Sequence, residues 1–128
     1  MSYYLILDQY KSAKDINLDY LPKSGWKIAR SLPEFETTIN ELGIPEFVFL
    51  AHNLHKEHGN FSDYKNALSS WKIDYNKYKY PTGLDCVKFL IQFCKINNKK
   101  FPKYEICDEN LVGKDNMWKE ICNFNSQI

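Results

Sequence analysis

The sequence predicts a single α/β domain, an open, mostly parallel sheet of four or five strands with helices on both faces. Three observations predict it. The chain has 128 residues, enough to close one hydrophobic core and hardly two. Short, densely apolar runs alternate with segments of helical period, as parallel strands require, because each must be joined to the next by a crossover. The composition, 44% apolar, 16% aromatic and 26% charged, is that of a chain that can bury a core rather than stay disordered. One domain over residues 1–128 is therefore expected, with a polar insertion at about 55–80.

Tyr3 to Leu7 is a buried-strand pattern ended by Asp8. Pro22 and the Ser24-Gly25 turn signal precede Trp26 to Ala29, a second strand that should pair with the first. Ser31 followed by Glu34 is a capping-box pair, and Phe35, Ile39 and Leu42 keep helical spacing until Gly43. Phe47 to Leu50 is the most hydrophobic run and the expected central strand, ending at Ala51, His52 and Asn53. From His55 to Tyr80 the chain is polar, rich in lysine and tyrosine, and without a readable period. Thr82-Gly83 opens a helix with Cys86, Phe89, Leu90 and Phe93 on its buried face, leaving at Asn97-Asn98. After Pro102 come a last strand, Tyr104 to Cys107, and a closing helix expected to turn Met117, Trp118, Ile121 and Cys122 inward.

Charge and segment content exclude several function classes. Seventeen basic against 16 acidic residues leave a net charge of +1, so no whole-molecule field draws the protein to nucleic acid or an anionic membrane. The start, Met-Ser-Tyr-Tyr-Leu-Ile-Leu-Asp, lacks a signal-peptide pattern, and no apolar run spans a bilayer, which points to the cytoplasm. The four cysteines, Cys86, Cys94, Cys107 and Cys122, have neither zinc-knuckle nor disulfide-scaffold spacing and read as free buried thiols.

In open parallel sheets ligands bind beyond the carboxyl ends of the strands. That rule selects Asp8 and Gln9, His52 and Asn53, and Asp108 to Asn110, each just past an apolar run. Polar residues at strand ends also form ordinary turns; their convergence is what makes them a candidate site. His52, His55 and His58 recur every third residue, but with Gly59 close by and no evident further ligand they read as solvated loop histidines rather than a metal site. Glu57, Asp63 and Asp74 dilute the lysines of the insertion, so a solvated insertion or a lid over the pocket is expected there rather than a nucleic-acid face. Trp71, Tyr75 and Tyr78 are its candidates for stacking on a nucleobase.

These segments together resemble the cyclic-phosphate-processing receiver domains, a receiver-like (flavodoxin-like) family. Leu7-Asp8-Gln9-Tyr10-Lys11 stands where the family has a Leu-Asp-Asp step with a basic residue two positions on. Ala51-His52-Asn53-Leu54 stands for Asp-His-Asp-Leu, and Thr82-Gly83-Leu84-Asp85 matches Thr-Gly-x-Asp. Cys107 to Gly113 keeps only Asn110 and Gly113 of His-Ser-x-Asn-Pro-x-Gly. For an intact member the resemblance implies carboxylates around a histidine at the strand ends, acting on cyclic phosphate esters with a hard divalent ion such as Mg²⁺. With Gln9, Ala51 and Asn53 in place of carboxylates, it implies a degenerate member, leaning away from enzyme activity.

The expected function is capture of a phosphate-bearing small molecule, a cyclic nucleotide or related signal, without efficient turnover. Its ligand-binding residues are Asp8, Gln9, Lys11, His52, Asn53, Thr82, Gly83, Asp85, Asp108 and Asn110, with no cofactor and no metal ligand assigned. The amides of Gln9 and Asn53 can donate to an anion, and helix starts at Thr82-Gly83 and Val112-Gly113 can add backbone N–H groups. In a phage-encoded chain such capture would sequester a host defence signal. The alternatives are a residual metal-dependent cyclic phosphodiesterase, with His52 catalytic beside Asp8 and Asp108, and a pseudo-receiver used for protein docking.

Overall fold

The computed structural model describes residues 2–16, 19–22 and 25–127. Strands β1 (Tyr4–Leu7), β2 (Lys27–Ala29), β3 (Phe47–Leu50) and β4 (Lys103–Ile106) pair in the order β2-β1-β3-β4, all parallel. Among the described residues the lower of the two expected strand counts holds, and Phe47–Leu50 lies inside the sheet as expected. Leu7 is level with both Ala29 and Leu50, and Leu50 with Ile106. All four strands therefore end at one height, and the residues that follow form a single rim.

Helices α1 (Leu32–Leu42), α2 (Phe61–Ser70), α3 (Gly83–Ile96) and α4 (Leu111–Asn125) connect and close the sheet, with 3-10 turns at Ala13–Asp15, Lys56–Gly59 and Tyr75–Lys77. Right-handed crossovers decide which face each takes. The step from β1 to β2 runs opposite to the steps β2 to β3 and β3 to β4, so α1 and α3 share a face and the β1–β2 connection covers the other. Side chains alternate accordingly. Leu5, Leu7, Val48 and Leu50 pack with Phe35, Ile39, Leu90, Met117 and Ile121, whereas Ile6, Phe47 and Phe49 pack with Ile16, Leu21 and Trp26. Helical segments thus cover both faces unequally, three α-helices against one 3-10 turn and a loop.

Local signals explain the helix ends. Ser31 Oγ accepts from Glu34 N at 3.4 Å, Glu34 Oε1 accepts from Arg30 N at 2.8 Å, and Gly43 at φ 83° ends α1. Gly25, also at φ 83°, supplies the turn before β2; its neighbour Ser24 lies outside the described residues.

Some expectations need correction. Trp118 is 51% exposed, because Met117, Ile121 and Phe124 already form the buried stripe of α4 and Trp118 lies one residue round from it. On α3, Phe89 and Phe93 flank the core rather than lie in it. The stretch read without a period contains α2, whose single buried residue, Ala67, gives no stripe to read. Among the thiols, Cys86 and Cys94 are buried, Cys107 and Cys122 half-buried, and all four are free. Among the described residues no helix is long and apolar enough to cross a membrane.

Candidate functional site

The rim centres on His52, which follows β3 and is fully buried. Its hydrogen bonds can be assigned from one fixed point. Asn110 Oδ1 accepts from Gly113 N at 2.9 Å, capping α4, so the Asn110 amide nitrogen must face away and donate to Asn53 Oδ1 at 3.1 Å. Asn53 Oδ1 is therefore an acceptor, and His52 Nδ1, 2.7 Å from it, carries the proton. His52 Nε2 then accepts from the Tyr75 hydroxyl at 3.0 Å, and Tyr75 Oη in turn accepts from Asn116 Nδ2 at 2.9 Å. Every member of this chain is satisfied, as a buried polar network must be. Burial holds His52 below its ordinary pKa of 6.5, against the opposing pull of the Asn53 hydrogen bond and the Asp108 charge. Burial also pushes the Tyr75 hydroxyl up to about 12, so it remains a donor.

The backbone around His52 is fixed as closely. Asp108 Oδ2 accepts from His52 N and Asn53 N, each at 2.9 Å, and Asp108 Oδ1 accepts from Asn110 N at 2.8 Å. One carboxylate thus joins the end of β3 to the start of α4. Two glycines permit the approach of the helices. A Cβ on Gly83 would lie 1.9 Å from the Ala51 carbonyl oxygen, and one on Gly113 would lie 2.4 Å from His52 Cγ. Thr82 Oγ1 accepts from Leu84 N, and Asp85 Oδ2 accepts from Thr82 N at 2.8 Å, a complete capping box. Gly83 N donates to His52 O at 2.7 Å and Leu111 N to Tyr64 Oη at 3.3 Å. The helix starts expected to offer N–H groups to an anion thus spend these donors inside the protein.

Asp8, Gln9 and Lys11 gather at the end of β1. Asp8 Oδ1 accepts from Tyr10 N and Lys11 N, both at 2.9 Å, closing a tight turn. Lys11 Nζ reaches across the Phe49 ring to Cys107 Sγ at 3.6 Å. Arg30, which sequence reasoning missed, ties the turn down by donating from Nη1 to Asp8 O at 3.2 Å and Lys11 O at 2.6 Å. Gln9 is half-buried, and its amide makes no hydrogen bond among the described residues.

The 55–80 segment folds over the rim beside β3. His58, expected in solvent, is 2% exposed: its Nδ1 accepts from Leu54 N and His55 N, and its Nε2 donates to the Tyr80 carbonyl at 3.0 Å. It organises the segment because it bonds backbone on both sides of it. Desolvation lowers its pKa despite the Tyr80 carbonyl and Glu57. His55 stacks on Tyr80 at 4.0 Å between centroids and accepts from Glu57 N, so the three histidines have separate roles. Between α2 and residues 72–78 lies a cavity of about 350 Å³ lined by His58, Tyr64, Lys72, Lys77, Tyr78 and Asn110, among others. A second recess of about 320 Å³ shares His58, Tyr64 and Asn110 with it and adds Asn53 and Phe61. Tyr64 separates them, its hydroxyl donating to Glu109 O at 3.0 Å.

The sheet order, the histidine at the end of β3 and the Thr-Gly-x-Asp helix start now stand in one arrangement, and the family model for the cyclic-phosphate-processing receiver domain matches residues 3–123. The chain belongs to that family. No curated protein and no solved structure gives a significant match.

In this receiver domain the residues expected to bind ligand divide into groups. His52, Asn53, Asp108 and Asn110 form one hydrogen-bonded unit, with Thr82 and Gly83 packed against it; Asp85 is exposed and occupied with its cap. Asp8, Gln9 and Lys11 lie along the rim at the end of β1. Of all these, Asn53 and Asn110 alone line the two recesses. Asn116 and Arg30 are additions from the structure, which also gives Tyr75 and His58 other parts than those expected, as hydrogen-bond partners of His52 and of the backbone. Asp108 spends both oxygens on backbone N–H groups. Among the described residues no three of His, Cys, Asp and Glu are disposed to hold a metal ion.

Proposed function

We propose that this receiver domain captures a phosphate-bearing small molecule, a cyclic nucleotide or related signal, in the paired recesses beneath its 55–80 segment, and does not turn it over efficiently. The observation that carries this reading is the cavity of about 350 Å³ within the 55–80 segment, closed on the rim side by Asn110, which Lys72, Lys77, Tyr64 and Tyr78 line together with Asp63 and Asp74. Its volume lies in the range of small-molecule sites, its lysines suit a phosphate, and its rings suit a nucleobase. Lys77 is paired with Asp63 at 3.3 Å, whereas Lys72 has no carboxylate partner among the described residues and is the stronger anchor. Asn110 offers the recess its remaining polar edge.

Capture is favoured over turnover by the state of His52. A general acid or base must exchange a proton with the substrate within hydrogen-bond reach. His52 is fully buried, with Nδ1 bonded to Asn53 and Nε2 to Tyr75. In a phage-encoded chain the same capture would withdraw a signal from host defence.

Calorimetry with a panel of cyclic mononucleotides, cyclic dinucleotides and cyclic ADP-ribose species tests the reading, with mass spectrometry of the recovered ligand alongside. Expected are binding of at least one member, recovery of that ligand intact, and affinity about tenfold weaker in Lys72→Ala, the size of one lost charge-assisted hydrogen bond. Silence across the panel, or stoichiometric conversion of the ligand, overturns it.

A further inference from the structure

We infer that the β4 edge of the sheet is a self-association surface, on which a second copy of this chain adds its own β4 antiparallel across a twofold axis. β4 is the terminal strand in the order β2-β1-β3-β4. Cys107 N donates to Leu50 O at 2.8 Å, and strand alternation then leaves the N–H and C=O of Tyr104 and Ile106 directed away from β3. A strand edge of this kind is a template for another strand unless something blunts it. Here the edge is bordered by a groove of about 610 Å³ lined by Trp71, Tyr104, Ile106, Leu111 and Trp118. Trp71, Leu111 and Trp118 are 44%, 52% and 51% exposed, an unusual concentration of apolar surface beside an open edge.

The charges on β4 choose the occupant and the register. Lys103 and Glu105 are exposed and lie on the sheet face opposite the helices, flanking Tyr104. In an antiparallel pair centred on Tyr104, Lys103 of one copy stands opposite Glu105 of the other, twice by symmetry. A shift to a pair centred on Glu105 would set the two carboxylates against each other. Opposite charges directly across a strand pair stabilise it and like charges destabilise it, so the Lys-Tyr-Glu order is complementary to itself in one register. In that register the Tyr104 groups exchange their N–H and C=O, Ile106 N–H reaches the Pro102 carbonyl of the second copy, and Pro102, having no N–H, ends the pairing. The net charge of +1 adds little repulsion between copies. This surface shares no lining residue with the paired recesses and does not depend on the ligand reading.

Sedimentation velocity of the full chain from low micromolar to several hundred micromolar tests the inference, with Glu105→Lys, Lys103→Glu and the exchanged double variant compared with wild type. Both single changes are on exposed side chains, and circular dichroism verifies that each variant folds. Expected are a concentration-dependent dimer in wild type, about tenfold weaker association in each single variant, and recovery in the double variant, where the opposed pair is rebuilt with its signs exchanged. A wild-type chain that stays monomeric throughout overturns the inference and leaves the edge to a strand from another protein. A dimer indifferent to both single variants overturns it too, since the copies would then meet elsewhere.

Discussion

Replacing Gly113 by alanine should be among the most damaging single-methyl additions this protein can receive. The added Cβ would stand 2.4 Å from His52 Cγ and 2.6 Å from both Cδ2 and Nδ1. The ring cannot yield cheaply, because Nδ1 is bonded to Asn53, Nε2 to Tyr75, and the backbone N–H to Asp108. The helix cannot yield cheaply either, because moving the start of α4 breaks the Asn110 cap at Gly113 N and shifts buried Val112 and Met117. Overpacking of this kind costs about 1–3 kcal/mol, and loss of one buried hydrogen bond adds about 1 kcal/mol. A net loss of about 3 kcal/mol is expected, or about 12 °C in Tm for a chain of this length.

Urea and thermal denaturation of Gly113→Ala, His52→Ala and the double variant measure the loss and isolate its cause. With the imidazole removed the methyl group meets no ring, so its cost should vanish and a coupling of about 3 kcal/mol should appear. Gly59→Ala is the control, since a Cβ there meets nothing within 4 Å. If Gly113→Ala lies within about 0.5 kcal/mol of wild type, or its cost persists without His52, the close approach of α4 to the imidazole is not the cause.

Acid should destabilise the fold before its carboxylates titrate. Burial lowers both His52 and His58 from 6.5, so the folded state refuses protons that the unfolded chain accepts; stability is present above about pH 6.5 and lost as the pH falls through it. Each histidine removes at most about 1.4 kcal/mol per pH unit below that point, and urea melts that are flat between about pH 7.5 and 5.5 would contradict the burial argument. Asn53→Asp should raise the His52 pKa by placing a charged acceptor 2.7 Å from Nδ1, read by NMR titration of the ring; an unchanged or lower value would mean that Nδ1 does not donate to residue 53.

The sheet was legible because buried parallel strands are dense apolar runs, and the residues beyond Leu7, Leu50 and Ile106 did gather at one rim. What joins them was not legible. Asp108 is bound to the backbone of His52 and Asn53, separated by more than 50 positions, and a backbone donor leaves no mark on the sequence. Tyr75 lies in a segment without a period, so nothing singled it out as the partner of His52 rather than a base-stacking ring. His58 read as a solvated loop residue because Gly59 follows it and no further metal ligand is evident in the sequence; its burial comes from the chain folding back so that Tyr80 meets it. Trp118 sat at an acceptable helical spacing, but Met117, Ile121 and Phe124 take the buried stripe and leave it one residue round, in the groove beside β4.

Several of the family segments that survive here shape the rim. Gly83 and Gly113 allow backbone and imidazole to approach closely, Thr82 and Asp85 form a capping box, Asn110 caps α4, and Leu54 is buried. Each of these is needed for the rim to exist at all. Three of the replaced positions, Gln9, Ala51 and Asn53, are those where the family pattern has carboxylates, while Cys107, Asp108 and Leu111 depart from it after β4. Asn53 shows the consequence most directly, since its amide oxygen keeps the hydrogen bond to His52 but supplies no charge to hold a proton on the ring, and burial then keeps the imidazole neutral. A neutral imidazole can accept from Tyr75, and Tyr75 anchors the 55–80 segment over the rim through its contacts with His52 and Asn116. The hydrogen bonds from Asn53 through His52 to Tyr75 therefore tie the 55–80 segment to the rim, and on the proposed reading this is why capture and loss of turnover are expected to go together.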